Sequence, residues 1–296
     1  MTPAAAPNPA SRAATLVGLG AIALWSVLAL LTASAGSAPP FELAALTFAI
    51  GGAFGLAYAA ARGRLAALRQ PWPVWLVGVG GLFGYHALYF AALRHAPPAE
   101  ASLIAYLWPL LIVLFSALLP GERLRARHVL GAGLGFAGAV ALFAGKATQG
   151  GEHALEPGVA LGYALALCCA FVWSGYSVLS RRLKAAPTEA VAGFCLVTSA
   201  LAALCHFAFE TSVAPTGPAQ WAAIVGLGLG PVGLAFYVWD YGVKNGDLKF
   251  LGVAAYAAPV LSTLILVAAG FAPATASLAL ACALIVGGAV VATRRR

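Results

Sequence analysis

The chain has 296 residues, of which 62% are hydrophobic and only 9% are charged. A typical soluble domain carries about 25% charged residues. Seventeen basic and 9 acidic side chains are too few to cover a soluble surface of this size. The net charge of +8 is divided among short clusters between apolar runs, whereas a nucleic-acid-binding surface concentrates its cations on one face. The composition therefore argues against a soluble enzyme, a disordered protein and a nucleic-acid-binding protein.

Ten apolar runs follow a short N-terminal segment. A membrane-spanning helix needs about 20 apolar residues, and each run approaches or exceeds that length. Residues 1–12 form a tail rich in Pro and Ala that we expect to be disordered. The first run is long enough to span a membrane, so we expect a signal anchor that is not cleaved. The predicted helices cover residues 13–34, 41–61, 72–93, 99–119, 129–147, 158–179, 188–209, 221–243, 249–270 and 274–293.

The basic residues predict the orientation of these helices. Cytoplasmic connections of membrane proteins are enriched in Lys and Arg. If the N-terminus is cytoplasmic, only Arg94 and Lys146 fall on the outer side. The other basic residues fall on the inner side, namely Arg12, Arg62, Arg64, Arg69, Arg123, Arg125, Arg127, Arg181, Arg182, Lys184, Lys244, Lys249, Arg294, Arg295 and Arg296. The pattern predicts a multi-pass protein of a bacterial inner membrane, with both termini in the cytoplasm and a basic C-terminus.

The two halves of the chain resemble each other. A shift of 150 residues places Tyr106 on Tyr256 and Pro109 on Pro259, and a shift of 148 places Trp25-Ser26 on Trp173-Ser174. We therefore expect one repeat over residues 13–148 and a second over 149–296. Because each repeat holds an odd number of helices, five, the second copy crosses the membrane in the opposite sense. The predicted fold is an all-α integral membrane protein, with ten transmembrane helices arranged as two inverted five-helix repeats.

Such inverted repeats are common in secondary transporters, with the substrate site near mid-membrane. Prolines within helices predict where this scaffold bends. Pro109 and Pro259 lie mid-helix and remove a backbone donor, which bends a helix and releases carbonyls. Gly230 and Pro231 interrupt helix 8, and helix 3 has a glycine-rich run over residues 78–84. These positions are candidates for gating, and close helix packing through small residues is the alternative explanation.

Aromatic residues with polar tips lie deep in several predicted helices. Buried indole and phenol groups need hydrogen-bond partners, so we expect them to line a central cavity suited to a flat, partly apolar ligand. By contrast, Trp72, Trp75 and Trp221 fit an interfacial belt. The candidate substrate-binding residues are Trp25, Ser26, Tyr85, His86, Tyr89, Tyr106, Trp108, Trp173, Tyr237 and Tyr256.

Two ionisable residues, His86 and Asp240, fall within the predicted helices as candidate proton or charge sites. Each has a simpler alternative. His86 can be a neutral side chain bonded to a neighbouring helix, and Asp240 can pair with Lys244 one turn later. Five cysteines lie within apolar runs without a CxxC spacing, so we interpret them as small packing residues. We predict no metal site and no cofactor.

The chain resembles the drug/metabolite transporter superfamily, EamA branch. Within it, the chain is similar to the bacterial aromatic amino acid exporters of the YddG group. The resemblance covers residues 13–293 and depends on the ten helices, the inverted repeat and three motifs. The motifs are the segment 84–90 (GYHALYF), the segment 106–109 (YLWP) and Trp173-Ser174. It implies export of aromatic and other neutral amino acids or related metabolites, through a central cavity that helices of both repeats surround.

Other functions remain open from the residues alone. An exporter of a different metabolite or of a cationic drug could use Asp240 as its carboxylate. A passive channel would need no alternating access. An intramembrane enzyme needs a cluster of acid, base or metal-binding groups, which the helices do not offer. In each transport hypothesis the partners are a small-molecule substrate and the lipid bilayer. A single-chain inverted repeat can form its cavity as a monomer.

Overall fold

In a computed structural model, the described residues are 9–122, 124–147, 158–268, 270 and 274–293. Within these ranges the regular structure is helical and contains no strand. We number ten helical segments in chain order. They are α1 (Pro9–Ser26 and Leu28–Ser34), α2 (Pro40–Ala61), α3 (Trp72–His95), α4 (Pro98–Ala105 and Trp108–Phe115), α5 (Ala126–Ala147), α6 (Val159–Arg182), α7 (Val191–Phe209), α8 (Pro218–Asn245), α9 (Leu248–Ala254 and Ala257–Ala268) and α10 (Ala276–Thr293).

The ten helical segments agree with the ten apolar runs. Among the described residues, eight segments are long and apolar enough to cross a membrane, and α10 is a shorter apolar helix. Most boundaries differ by one to three residues, and the largest difference at a helix start is in α1, which begins at Pro9 and so includes residues 9–12 of the predicted tail. Residues 1–8, Arg123, the junction at 148–157, residues 269 and 271–273, and residues 294–296 lie outside the described residues, and so do the parts of the predictions that concern them.

Helices α4 and α9 are interrupted at equivalent places. In α4 the break is at Tyr106 and Leu107, and in α9 it is at residues 255–256. Pro109 and Pro259 follow these breaks by two to four residues. A proline cannot donate to the carbonyl four residues earlier and clashes with it, so the turn before each proline opens. The prolines were expected to bend continuous helices, and the structure shows a full break in each instead.

The glycine-rich segments of α3 and α8 differ. Helix α8 changes to one turn of π-helix over Gly230–Leu234, where Gly230 and Pro231 were expected to interrupt it. Helix α3 is continuous, and two glycines of its run, Gly78 and Gly81, are packing positions. A Cβ atom at Gly78 would lie 2.4 Å from the Phe194 ring, and one at Gly81 would lie 2.5 Å from Tyr176.

The most extensive helix contacts join the two repeats. Helix α5 packs on α10, α2 on α7, α3 on α6, and α1 on α8. Exchanging α1–α5 with α6–α10 leaves the first two pairs unchanged and converts the third into the fourth. This pairing is what a pseudo-twofold axis between the repeats requires.

Small residues allow these helices to approach closely. At the α1–α8 crossing, a Cβ atom on Gly242 would lie 2.5 Å from the Cα atom of Gly18. The equivalent α3–α6 crossing contains Ala92 and Ala166, both fully buried in one cluster. Small residues allow close backbone contact between membrane helices. The two repeats therefore pack most closely at these crossings, where there is little room for a larger side chain.

We predict that Gly242→Ala destabilises the protein. The added methyl group meets the backbone of α1, and overpacking of this kind costs about 1–3 kcal/mol. The free energy of unfolding in detergent measures the effect. Gly80→Ala is the matched control, because a Cβ atom at Gly80 meets nothing within 4 Å. Equal stability of the two variants would contradict the close crossing.

Candidate functional site

Four tryptophans meet in the middle of the helix bundle, and we call them the tryptophan cluster. Trp25 comes from α1, Trp108 from α4, Trp173 from α6 and Trp239 from α8. All six pairs are in ring contact, with centroid distances between 5.2 and 6.4 Å. Each repeat contributes two of the rings, so the cluster forms only when the repeats are assembled.

The polar tips of two cluster members hold neighbouring helices. The indole N–H of Trp25 donates to the carbonyl of Pro231 at 3.1 Å, across from α1 to the π-helical turn of α8. The indole N–H of Trp239 donates to Ser177 Oγ at 3.1 Å. The indole N–H groups of Trp108 and Trp173 donate to no other described residue. These two donors therefore remain available for a ligand.

A second aromatic group lies beside the cluster on α3. Tyr85 contacts the Trp173 ring at 5.3 Å and stacks on Tyr89 at 6.1 Å. The ring of His86 packs edge-on against Phe48 at 5.0 Å and also contacts Phe236 at 6.2 Å. The predicted residues of α3 thus share one aromatic surface with the cluster.

The hydrogen bonds of this group limit what each side chain offers a ligand. His86 Nδ1 lies 2.7 Å from the Leu82 carbonyl of its own helix, so it acts as the donor and the neutral ring keeps Nε2 as an acceptor. The hydroxyl of Tyr89 pairs with Ser102 at 2.7 Å. The hydroxyl of Tyr85 donates to no other described residue, which adds a third free donor beside the cluster.

Burial changes across the tryptophan cluster. Connections α2–α3, α4–α5, α6–α7 and α8–α9 carry most of the basic residues, and we call this side of the bundle the basic end. Trp108, Trp173 and Trp239 are 5%, 3% and 0% exposed. Beyond them, at the end away from the basic end, residues 83–91 of α3 are all half-buried, as are Trp25 and Tyr106. The rings are therefore sealed toward the basic end and more accessible from the opposite side.

Several predicted site residues have other roles. The hydroxyl of Ser26 donates to the carbonyl of Ala23, and that of Ser174 donates to the carbonyls of Ala170 and Trp108. The proton of Ser26, a predicted substrate-binding residue, is therefore already used within its own helix, and the proton of Ser174 is used within α6 and toward α4.

Two predicted tyrosines lie apart from the tryptophan cluster. Tyr256, in the break of α9, is fully buried against α5 and α10, and its hydroxyl accepts from the backbone N–H of Leu110 at 3.2 Å. It thereby satisfies a donor that the break before Pro109 releases. Tyr237 donates to the Gly51 carbonyl at 3.0 Å and lines a groove on the outside of the helix bundle.

Sequence reasoning missed Trp239 and Phe236, which the structure puts inside the aromatic group. The internal repeat contained the signal, because a shift of 150 residues relates Tyr89 to Trp239 and His86 to Phe236. Phe48 was missed as well, although its ring stacks on Phe236 at 5.5 Å. A phenylalanine in an apolar run has no polar tip to distinguish it from an ordinary packing residue.

Comparison with known proteins agrees with this architecture. The model of the EamA-like transporter family matches residues 12–144 and again residues 160–294. The chain belongs to the EamA-like transporter family. Its two family matches coincide with the two sets of helices that pack on each other, and the family accounts for ten helices as two repeats of five.

Curated relatives and a solved structure are similar over nearly the whole chain. The aromatic amino acid exporter YddG of Ancylobacter novellus is 63% identical over 95% of this chain and 96% of its own length. The protein of the same name from Salmonella typhimurium is 28% identical over 86% of this chain and 87% of its own length. A crystal structure 62% identical in sequence has a TM-score of 0.89 and covers 95% of this chain and 97% of its own.

Membership of this family makes the protein a multi-pass membrane transporter with a small-molecule substrate. Its relatives are transporters rather than enzymes. Among the described residues, no group of three or more His, Cys, Asp or Glu side chains could hold a metal ion.

Ionic contacts tie the connections of the basic end together. Glu122, before α5, contacts Arg181 of α6 at 3.3 Å and Lys249 of α9 at 2.6 Å. Arg181 also donates to the carbonyls of Val243 and Gly246 at 3.0 and 2.7 Å. Burial raises the pKa of the Glu122 carboxyl, but Lys249 and then Arg181 outweigh it and lower the net pKa. The carboxylate is therefore charged at neutral pH and joins both repeats.

Asp240 forms a buried ion pair in the same region. Its Oδ2 atom accepts from Lys244 Nζ and from Thr188 Oγ1, each at 2.8 Å, and Lys244 donates further to the Ala186 carbonyl at 2.9 Å. The side chains of Asp240 and Lys244 are 1% and 5% exposed. The pair fastens the α6–α7 connection to α8, which favours the structural alternative over a free proton or substrate site.

We predict that Asp240→Asn destabilises the protein by about 3–5 kcal/mol, because it leaves the Lys244 ammonium group buried without its partner. The double variant Asp240→Asn/Lys244→Met removes that unpaired charge and should recover most of the loss. Unfolding in detergent measures both. If the double variant were as unstable as Asp240→Asn, Asp240 would have a role beyond its ion pair with Lys244, which would contradict this interpretation.

Proposed function

We propose that this protein is an inner-membrane secondary transporter that exports aromatic and other neutral amino acids, or related metabolites, by alternating access. The tryptophan cluster carries the proposal, because rings from both repeats meet at the level where inverted-repeat transporters bind substrate. The relatives named aromatic amino acid exporters support the same substrate class. Both termini are cytoplasmic in this proposal, so the basic end faces the cytoplasm, and the protein acts as a monomer.

A zwitterionic amino acid has three parts to accommodate. Its ring can pack on the half-buried Trp25 and Tyr85, since aromatic pairs gain about 0.5–1.5 kcal/mol beyond area burial. Its ammonium group can lie over an aromatic face. Its carboxylate can accept from the indole N–H groups of Trp108 and Trp173, which have no partner among the described residues. No arginine participates, which suits modest affinity and broad selectivity.

The difference in burial supports a direction of access. The more accessible side of the aromatic group lies away from the basic end, so the state described here is open toward the periplasm. The inward-open state requires the basic end to separate. Glu122 and Arg181 are 27% and 26% exposed, and partly exposed ion pairs contribute only about 0–1 kcal/mol each. These contacts can therefore break and re-form during a transport cycle.

Two other transport functions remain as alternatives. A cationic drug would need a free carboxylate near the site, and Asp240 is already bonded to Lys244 and Thr188. Another metabolite with an aromatic ring fits the same rings and is distinguished only by a substrate panel. A passive pore is distinguished by saturable counterflow, which a carrier has and a channel lacks.

Transport in liposomes tests the proposal. We expect purified protein to catalyse saturable flux of labelled L-tryptophan. In Trp108→Ala, flux should fall about tenfold, the effect of losing roughly 1.4 kcal/mol of ring contact. His86→Ala should also lower flux, because its ring supports Phe48 and Phe236.

Trp72→Ala is the matched control, since this tryptophan is 73% exposed at the basic end of α3. Its flux should equal that of the wild type. Full activity in both Trp108→Ala and His86→Ala would reject the site. Absence of protein-dependent flux for every neutral amino acid would reject the substrate class.

A further inference from the structure

A groove runs along the outside of the bundle near the basic end, on the opposite surface of α8 from its core contacts. We call it the α8 groove. It has a volume of about 630 Å³, and its apolar part is formed by α1, α2 and α8. Phe54 and Tyr58 of α2 form one wall and are 51% and 52% exposed. Ligand sites have volumes of roughly 300–1,000 Å³, so the groove is large enough for a small molecule or part of a lipid.

The floor of the groove is a stripe of α8. Leu234, Val238, Tyr241 and Asn245 recur at helical spacing and line it. Leu234 and Asn245 are separated by 11 residue steps, a rise of roughly 16 Å. That length is about half of the roughly 30 Å hydrocarbon thickness of a bilayer. The stripe therefore matches the depth of one leaflet, and none of the four residues of the tryptophan cluster lines the groove.

The end of the groove at the membrane surface is cationic. Arg64 and Lys184 lie there, with Lys244 deeper in the wall. Arg64 pairs with Glu189 at 2.6 Å and Lys244 pairs with Asp240. The exposed Lys184 forms no ion pair with another described residue. The positive charge of Lys184 therefore has no ionic partner among the described residues at the mouth of the α8 groove.

A second pocket begins at the same lysines. It has a volume of about 380 Å³, and its charged lining consists of Glu122, Arg181, Arg182, Lys184 and Lys244. Because Asp240 neutralises Lys244, three cations face the one carboxylate of Glu122, so the charge beyond the α8 groove is again positive. Basic pockets between transmembrane helices bind the head groups of anionic lipids.

We propose that the α8 groove binds one anionic phospholipid of the basic-end leaflet. An acyl chain lies along Leu234 and Val238 against Phe54, and the phosphate lies at Lys184. This site is separate from the proposed transport site, because its apolar wall faces the bilayer and the two surfaces of α8 differ. The lipid fills the space between α1 and α2, which contact α8 on either side.

Native mass spectrometry of the full-length protein in detergent tests the proposal. Palmitoyl-oleoyl-phosphatidylglycerol and the corresponding phosphatidylcholine are titrated separately. We expect one bound phosphatidylglycerol, with an affinity about fivefold higher than that of phosphatidylcholine, the effect of one surface cation on an anionic lipid. Lys184→Gln should abolish this preference. Phe54→Ala should weaken both lipids about threefold through lost apolar contact.

Each control makes the same kind of substitution at a residue outside the α8 groove. Arg69→Gln removes an exposed cation of the α2–α3 connection, and Phe207→Ala removes a phenylalanine that is 79% exposed elsewhere. Both should bind phosphatidylglycerol as the wild type does. Equal affinity for the two lipids, or equal effects of Lys184→Gln and Arg69→Gln, would overturn the proposal.

Two competition experiments test whether the α8 groove binds free phosphate or a transport substrate instead of a lipid. Inorganic phosphate at millimolar concentration should leave the bound lipid in place, and displacement would mean a phosphate site that needs no acyl chain. L-Tryptophan should also leave it in place, and displacement would assign the groove to the transport pathway. Failure of the lipid experiment leaves the flux prediction untouched, because the two use different residues and different measurements.

Discussion

The structure depends on close packing between the two repeats. Each of the four most extensive helix pairs takes one helix from each half of the chain. Hydrocarbon provides no hydrophobic force between helices, so close backbone contact through small residues must hold them. Gly18 against Gly242 and Ala92 with Ala166 supply that contact at two equivalent crossings. Because neither repeat forms these crossings alone, the fold and the site arise together.

The tryptophan cluster follows from this arrangement. Helices α1 and α6 are equivalent and bring Trp25 and Trp173 into contact at 5.8 Å. The π-helical turn of α8 leaves the Pro231 carbonyl available, and Trp25 donates to it. A backbone irregularity is tolerated in a membrane where another group satisfies it. The predicted gating segment is thus bonded to the proposed substrate site, and a change in one must affect the other.

Hydropathy, basic residues and the internal repeat were sufficient to predict the ten helices, and the short aromatic motifs were sufficient to predict the family. The details of the site were harder, because hydrogen bonds within helices have no sequence pattern. Ser26 was predicted as a ligand contact, and its proton is used by the Ala23 carbonyl of its own helix. Trp239 lies near the end of its helix and so could not be distinguished from an interfacial tryptophan. The break in α1 at Val27 has no proline or glycine to indicate it.

A structure with bound 4-bromo-L-phenylalanine would test the central claim most directly, because the anomalous signal of bromine locates the ring of the ligand unambiguously. The account predicts one bromine peak in contact with the tryptophan cluster, between residues of both repeats. A peak only in the α8 groove, or only among residues of one repeat, would contradict it.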